Sequence, residues 1–535
     1  MPRHTTRGPA LSHALSLVVL GAAGAPTLAG PQFRVHFERA ARETPASGRL
    51  VVYLVQANSG VDRSGQEPSE GPFFEDPQPM FAIDVKDLAP GAVAVVDDRA
   101  TSFPVKLGEL PEGRYKVQAV LDMHRADSSW KREPGNLYSK MGVFEVKKGA
   151  GSNRDEKVDI ELTQVVKVKE PAPGRGVEYV EVPSLLLTKF RGEPVTLKAG
   201  VVLPTGYQAG GSKKYAAVYE IPGFGGDHRD ARRSAMMYRG GAGEELLKNC
   251  FWIVLNPEGP NGHHLFANSD NNGPVGDALV QELIPELEKR FPLLSEQPAR
   301  LLRGHSSGGW STVWLAITYP ETFGAAWSSS PDPVDFQHFQ LPNIYADASM
   351  YTRPGASAAG GGGGGGGEVP SYRDSGDTRM TIRQENRMEE VLGPRNTSGQ
   401  QWDSWLAVFG PRDKDGNPGA LYDPQTGALD HEVAVHYRRY DIADLLRRDP
   451  AKYAPIFKQR IRLLCGTEDS YYLNEAVAAL KVDLDKIKDL RLPEGEHGYV
   501  KLVPGKDHGT IFATPEMRAV PGEMLEHLKR AGYVK

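Results

Sequence analysis

Three stretches near the start of the chain alternate apolar and polar residues with a period of two: Phe33, Val35 and Phe37; Tyr115, Val117, Ala119 and Leu121; Val158, Ile160 and Leu162. Successive side chains of a strand point to opposite faces, so this alternation predicts half-buried strands. Glycine and proline clusters separate the stretches, Leu110-Pro111-Glu112-Gly113 reads as a turn, and no helical period runs through the region. The expectation for residues 30–168 is a small all-β sandwich. It assembles no nucleophile with a base, which predicts a substrate-positioning or spacer role.

The pattern changes after residues 169–176, where Pro171, Pro173, Gly174 and Gly176 predict a linker. Segments 215–221 and 251–256 are apolar runs of strand length, and 275–291 has helical spacing through Leu279, Leu283, Ile284 and Leu287. Strands at 299–304, 324–328, 461–465 and 499–503 and a helix over 307–319 continue the series. Alternating strands and helices predict an α/β unit over 177–535, with a doubly wound, mostly parallel sheet. Residues 331–459 interrupt it with few strand signals and include eight consecutive glycines, Gly360 to Gly367. We expect a lid-like insertion above the sheet, with the glycines as a flexible tether. Trp402, Trp405, Leu406 and Phe409 have roughly helical spacing, which suits either a small packed core within the insertion or side chains facing a pocket.

Composition narrows the class. With 39% hydrophobic and 24% charged residues the chain matches an ordinary globular protein, which excludes wholesale disorder and a multi-span membrane protein. A net charge of −5 without a basic block argues against a nucleic-acid binder. The only cysteines, Cys250 and Cys465, cannot supply a disulfide framework. Arg3 and Arg7 precede a short apolar run, Ala14 to Ala25, and Thr27-Leu28-Ala29 offers small residues for cleavage. Residues 1–29 thus read as a signal peptide, and the mature chain is expected to be periplasmic or secreted with no stable membrane span.

The sharpest chemical signal is Gly304-His305-Ser306-Ser307-Gly308-Gly309 between a strand and a helix. A serine on such a turn is exposed above the sheet, and the flanking glycines admit the strained backbone, so Ser306 reads as a nucleophile on an elbow. Acid and histidine are expected downstream, each after its own strand. Gly466-Thr467-Glu468-Asp469 follows 461–465, and Pro504-Gly505-Lys506-Asp507-His508-Gly509 follows 499–503. His508 is the expected base and Asp469 the expected acid, preferred over Glu468, Asp332 and Asp507. The expected oxyanion donors are the backbone N–H of Ser307 and that of Phe224 or Gly225, in Pro222-Gly223-Phe224-Gly225-Gly226 after 215–221. The stretch 413–417 lacks the residues of a calcium loop, and His263-His264 has no accompanying ligands, so no metal is assigned. Those histidines are expected to line the substrate cleft or to face solvent.

Taken together, Tyr-Ala-Ala-Val-Tyr-Glu-Ile-Pro-Gly-Phe-Gly-Gly, Gly-His-Ser-Ser-Gly-Gly, Ser329-Ser330-Pro331-Asp332, Gly-Thr-Glu-Asp and Asp-His-Gly resemble the putative-esterase family, which includes enterochelin esterases and esterase D. The resemblance covers most of residues 177–535 and implies the α/β-hydrolase fold. Pro222 stands where that family often has a histidine. The expected function is an exported serine esterase that needs no cofactor and acts on a small-molecule ester. An acyltransferase, a serine peptidase or a non-catalytic binding protein on the same scaffold are the alternatives. Substrate choice is expected to reside in the insertion and in residues 259–273.

Overall fold

The computed structural model describes residues 31–124, 127–147, 156–167, 171–238, 240–353, 367–488 and 497–534. The expected signal peptide at 1–29 and all of the glycine run except Gly367 lie outside these residues.

The alternating stretches lie in strands. Gln32–His36 pairs with Ala94–Val96 and Lys157–Glu161 in a three-stranded sheet, while Ala46–Gln56 and Gly113–Asp122 are central to a seven-stranded one. Phe33 and Val35 from the smaller sheet share a core with Leu50, Val52, Val117 and Ala119 from the larger. The opposite face of the larger sheet is not left to solvent. There Val51, Tyr53, Met80 and Val120 pack on Met388 and Val391, carried by the helix Ile382–Leu392 of the insertion. Arg49 joins the same contact, donating from Nε to the carbonyl of Val391 at 2.9 Å and from Nη2 to that of Glu390 at 3.1 Å. Cover on both faces explains why Leu50 to Val55 is a continuous apolar run rather than an alternating one.

Eight strands form the main sheet: β1 (Val177–Ser184), β2 (Val195–Val202), β3 (Ala216–Ile221), β4 (Cys250–Leu255), β5 (Arg300–His305), β6 (Ala325–Ser329), β7 (Ile461–Gly466) and β8 (Tyr499–Val503). Their order is β1-β2-β4-β3-β5-β6-β7-β8. β1 pairs antiparallel with β2, and β2 with β4, while every later pairing is parallel. The last six strands fall within a residue of the segments read from the sequence. β1 and β2 went unread: β1 alternates sides at the sheet edge, a pattern that lies outside the βα grammar of the rest. Along β3, Ala217, Tyr219 and Ile221 enter one core while Ala216 and Val218 enter the other, so both faces of the sheet are covered. The helical stretch after residue 275 is interrupted by a π turn, Leu279–Leu283, between Val275–Ala278 and Ile284–Arg290.

The insertion leaves the sheet after β6 and returns before β7. Its Trp402, Trp405, Leu406 and Phe409 do not form a separate small core; they belong to the core of the main sheet, with the ring of Phe409 5.2 Å from that of Trp310 and tilted against it. Register then sets the stage for chemistry. Ile221 pairs with Gly304, His305 with Ser329, Ser329 with Leu464, and Gly466 with Val503. The carboxyl ends of five neighbouring strands are thereby level, and the segments after them emerge along one edge, where ligands bind in open α/β sheets.

Candidate active site

Ser306 follows β5 with φ 58° and ψ −127°, a conformation costing a non-glycine residue about 1–3 kcal/mol. Neighbouring backbone holds it there. Its N–H donates to Ser329 O at 3.0 Å, and its carbonyl accepts from Trp310 N at 3.0 Å and Asp332 N at 3.3 Å. Gly308 shows why the turn can be so tight: a Cβ there would sit 1.9 Å from the Ile221 carbonyl oxygen. The helix Ser307–Thr318 can start against β3 only because that residue has no side chain.

At the same edge, His508 Nδ1 lies 2.9 Å from Asp469 Oδ2. Asp469 is fully buried, its other oxygen accepts from Tyr471 N at 3.0 Å, and its own carbonyl accepts from Arg373 Nε at 3.0 Å. Burial pulls the His508 pKa down, but the charge and hydrogen bond of Asp469, helped by Asp332 and Asp507, outweigh it and leave the imidazole above its ordinary value. The other acids do not take this place. Glu468 is exposed. Asp507 uses Oδ1 to accept from the N–H groups of Gly509 and Thr510 in its own turn. Asp332 is buried and accepts from Trp405 Nε1 at 2.7 Å. Burial pushes the Asp332 carboxyl up to about 6, against hydrogen bonds from Ser307 and Trp405.

The loop after β3 approaches the serine closely. A Cβ on Gly223 would lie 3.3 Å from Ser306 Cβ, so glycine keeps this passage open. Phe224 and Gly225 line the same cavity as Ser306 and His508, a space of about 700 Å³. Ser307 is fully buried at the helix start, where the first N–H groups have no intrahelical partner. His263 departs from expectation. Neither it nor His264 lines the cavity or faces solvent; both are buried. His263 Nε2 instead lies 3.0 Å from Pro222 O at the loop's start. Its pKa is lowered to about 4 by burial, so the ring is neutral and can donate that bond while Nδ1 accepts from Leu265 N. None of residues 259–273 lines the cavity.

Several lining residues escaped the sequence reading. Gln340, Glu385 and Gln401 come from the insertion, and Phe74 from a loop between the strands that precede the main sheet. No local pattern marks them, because only the long-range docking of their segments brings them to the serine. Tyr471 also lines the cavity and packs at 4.9 Å on His508; its position two residues after Asp469 was the available signal. Of the insertion's four aromatic and apolar residues, Trp405 alone is at the cavity wall.

Comparison with known proteins gives a partial family match. Residues 195–411 match the family model described as putative esterase. No curated protein matches. Among solved structures, the S-formylglutathione hydrolase of Staphylococcus aureus is 15% identical, with 65% of this chain and 98% of that chain covered and a TM-score of 0.34. The S-formylglutathione hydrolase of Agrobacterium tumefaciens is 13% identical, with 66% and 95% covered and a TM-score of 0.34. A ferulic acid esterase of Anaeromyces mucronatus is 13% identical, with 64% and 88% covered and a TM-score of 0.29. Over residues 195–411, less than half of its length, the chain is thus similar to the putative-esterase family.

Proposed function

We propose that the chain hydrolyses carboxylic esters through an acyl-enzyme on Ser306, with His508 as base and Asp469 as its orienting acid. The observation that carries this reading is the 2.9 Å contact between His508 Nδ1 and Asp469 Oδ2, beside the cavity that the strained Ser306 lines. With Nδ1–H given to Asp469, Nε2 is left to take the proton from Ser306 Oγ as that oxygen attacks the ester carbonyl. The carbonyl π pair moves onto oxygen, where the N–H of Ser307 and that of Phe224 or Gly225 stabilise it. Collapse expels the alcohol, which takes the proton from His508. Water, deprotonated by the same imidazole, then attacks the acyl-enzyme and releases the acid and Ser306. The strands ahead of β1 and the insertion serve as walls of the cavity, supported by Phe74, Gln340 and Gln401 among its lining. We read the chain as exported on the charged, apolar and small-residue order of its first 29 residues.

The test is hydrolysis of short p-nitrophenyl esters by wild type and Ser306→Ala, with a peptide amide and a competing alcohol alongside. The expected result is ester turnover that falls at least about 10³-fold in the variant, with free acid as the main product. Wild-type turnover in Ser306→Ala defeats the mechanism, and amide cleavage or transfer to the alcohol at rates above hydrolysis redirects it. Export is checked by the amino terminus of the mature protein, expected near Gly30.

A further inference from the structure

The loop that approaches Ser306 has little to hold it. Residues 223–226 are Gly-Phe-Gly-Gly, and Gly225 sits at φ +79°, where only glycine rests without strain. Phe224 and Gly225 also line a second cavity, of about 420 Å³, on the other side. The loop is thus a thin wall between two spaces, and hydrogen bonds must do what packing cannot. Three fix its carbonyls. His263 Nε2 reaches Pro222 O at 3.0 Å, Gly226 N donates to Gly223 O at 3.0 Å, and Arg132 Nη1 donates to Gly225 O at 3.1 Å.

The third anchor comes from outside the main sheet, from the short helix Trp130–Arg132 among the strands that precede β1. Arg132 Nε donates to both oxygens of Asp127 at 2.7 Å, and its Nη groups lie 3.6 Å from the carboxylates of Asp227 and Glu258. Its side chain is 19% exposed. Gln400 of the insertion donates from Nε2 to Ser128 O at 3.4 Å, tying down the same segment. Burial, with Asp127 nearby, pushes the Glu258 carboxyl up to about 7, against hydrogen bonds from Ser128 and the charge of Arg132. The peptide group between Gly225 and Gly226 is therefore pinned at both ends, its oxygen by Arg132 and its N–H by Gly223 O. Since ψ of Gly225 is set by that plane, its orientation governs how the preceding N–H groups face the serine.

We propose that Arg132 is a positioning residue for the oxyanion loop, so that the strands preceding β1 complete the hydrolase site instead of merely adjoining it. The inference rests on the Ser306 reading above. A donor loop that drifts loses stabilisation mainly in the transition state, so the cost falls on kcat rather than on KM.

The experiment measures kcat and KM for a short p-nitrophenyl ester in full-length wild type, Arg132→Ala, Asp127→Asn and Ser306→Ala. Arg132→Ala is expected to lower kcat about 10- to 100-fold, with KM within about threefold, and added guanidinium ion is expected to restore part of the loss. Asp127→Asn keeps the guanidinium but removes its two-oxygen hold, so kcat falls in the same direction by less; this arm decides the matter if Arg132→Ala is insoluble. An unchanged kcat in the soluble variants, a loss confined to KM, or a loss in Arg132→Ala that guanidinium does not restore overturns the inference while Ser306→Ala remains inactive. Activity in Ser306→Ala overturns the underlying reading instead.

Discussion

Replacing Asp469 by Asn tests the acid directly. The side chain stays close in size, so the fold should persist, but two things change at the 2.9 Å contact with His508. Asn can present its NH₂ to Nδ1 and so favour the tautomer that carries its proton on Nε2, where it cannot accept from Ser306. The fixed negative charge that stabilises the imidazolium is also gone. Asp469 is fully buried, so no water enters to replace it. In a comparable triad these losses cost about 10⁴ in kcat, which is about 5.4 kcal/mol at 1.36 kcal/mol per decade. The pH profile carries a second signature. The base must be neutral to act, so kcat/KM rises through the His508 pKa, which Asp469 holds above its ordinary value. Without that charge the acidic limb moves to lower pH. The assay is ester hydrolysis from pH 4 to 9 for Asp469→Asn, Glu468→Gln, Asp332→Asn and Asp507→Asn. The reasoning is refuted if Asp332→Asn takes the large loss and Asp469→Asn is nearly silent, or if the acidic limb of Asp469→Asn moves upward.

Three further outcomes are expected. Burial pushes the Asp441 carboxyl up to about 7, so the folded state holds a proton there that the unfolded chain has released above about pH 4. Its contribution to stability is greatest at low pH and is lost as pH rises towards 7; Asp441→Asn, which keeps an acceptor for only one of Phe336 N and Asp444 N, should lower Tm at every pH but flatten its fall from pH 5 to 8 measured by calorimetry. Cys250 and Cys465 are buried free thiols at opposite ends of their strands, so mass spectrometry without reductant should find no bridge, and thiol reagents should label both only after unfolding. Shortening Gly360 to Gly367 should leave turnover of a small ester within about twofold, because Arg353 N donates to Gly367 O at 3.2 Å and Thr352 bridges Glu368, which closes the segment at its base; a collapse in turnover would assign the glycines a structural role.

The elements that recur with a local period were readable from the chain. Six strands of the main sheet and the Ser306 elbow announce themselves because a buried strand is a continuous apolar run and a tight strand-to-helix turn demands glycine. The order of strands then brought Asp469 and His508 to the serine's edge, since parallel strands deliver their following loops to one side. Neighbouring residues leaving a strand face different ways, so only one of Glu468 and Asp469 could orient His508, and Asp469 was preferred for its shorter side chain. Where one face is not the whole story, the period fails. Leu50 to Val55 shows no alternation because the insertion covers the face that solvent would otherwise wet. His263, read as a cleft or surface residue, proves to be a buried anchor of Pro222 O. Arg132, Phe74 and Gln401 carry no local mark at all. Their places depend on docking between segments far apart in the chain, 93 residues for Arg132 and Gly225, and such docking is decided by the summed burial of whole surfaces. Local residue order therefore determined which groups could perform the chemistry, while the tertiary structure alone decided which distant residues wall the cavity and hold the loop after β3, because those contacts exist only after the long loops have closed.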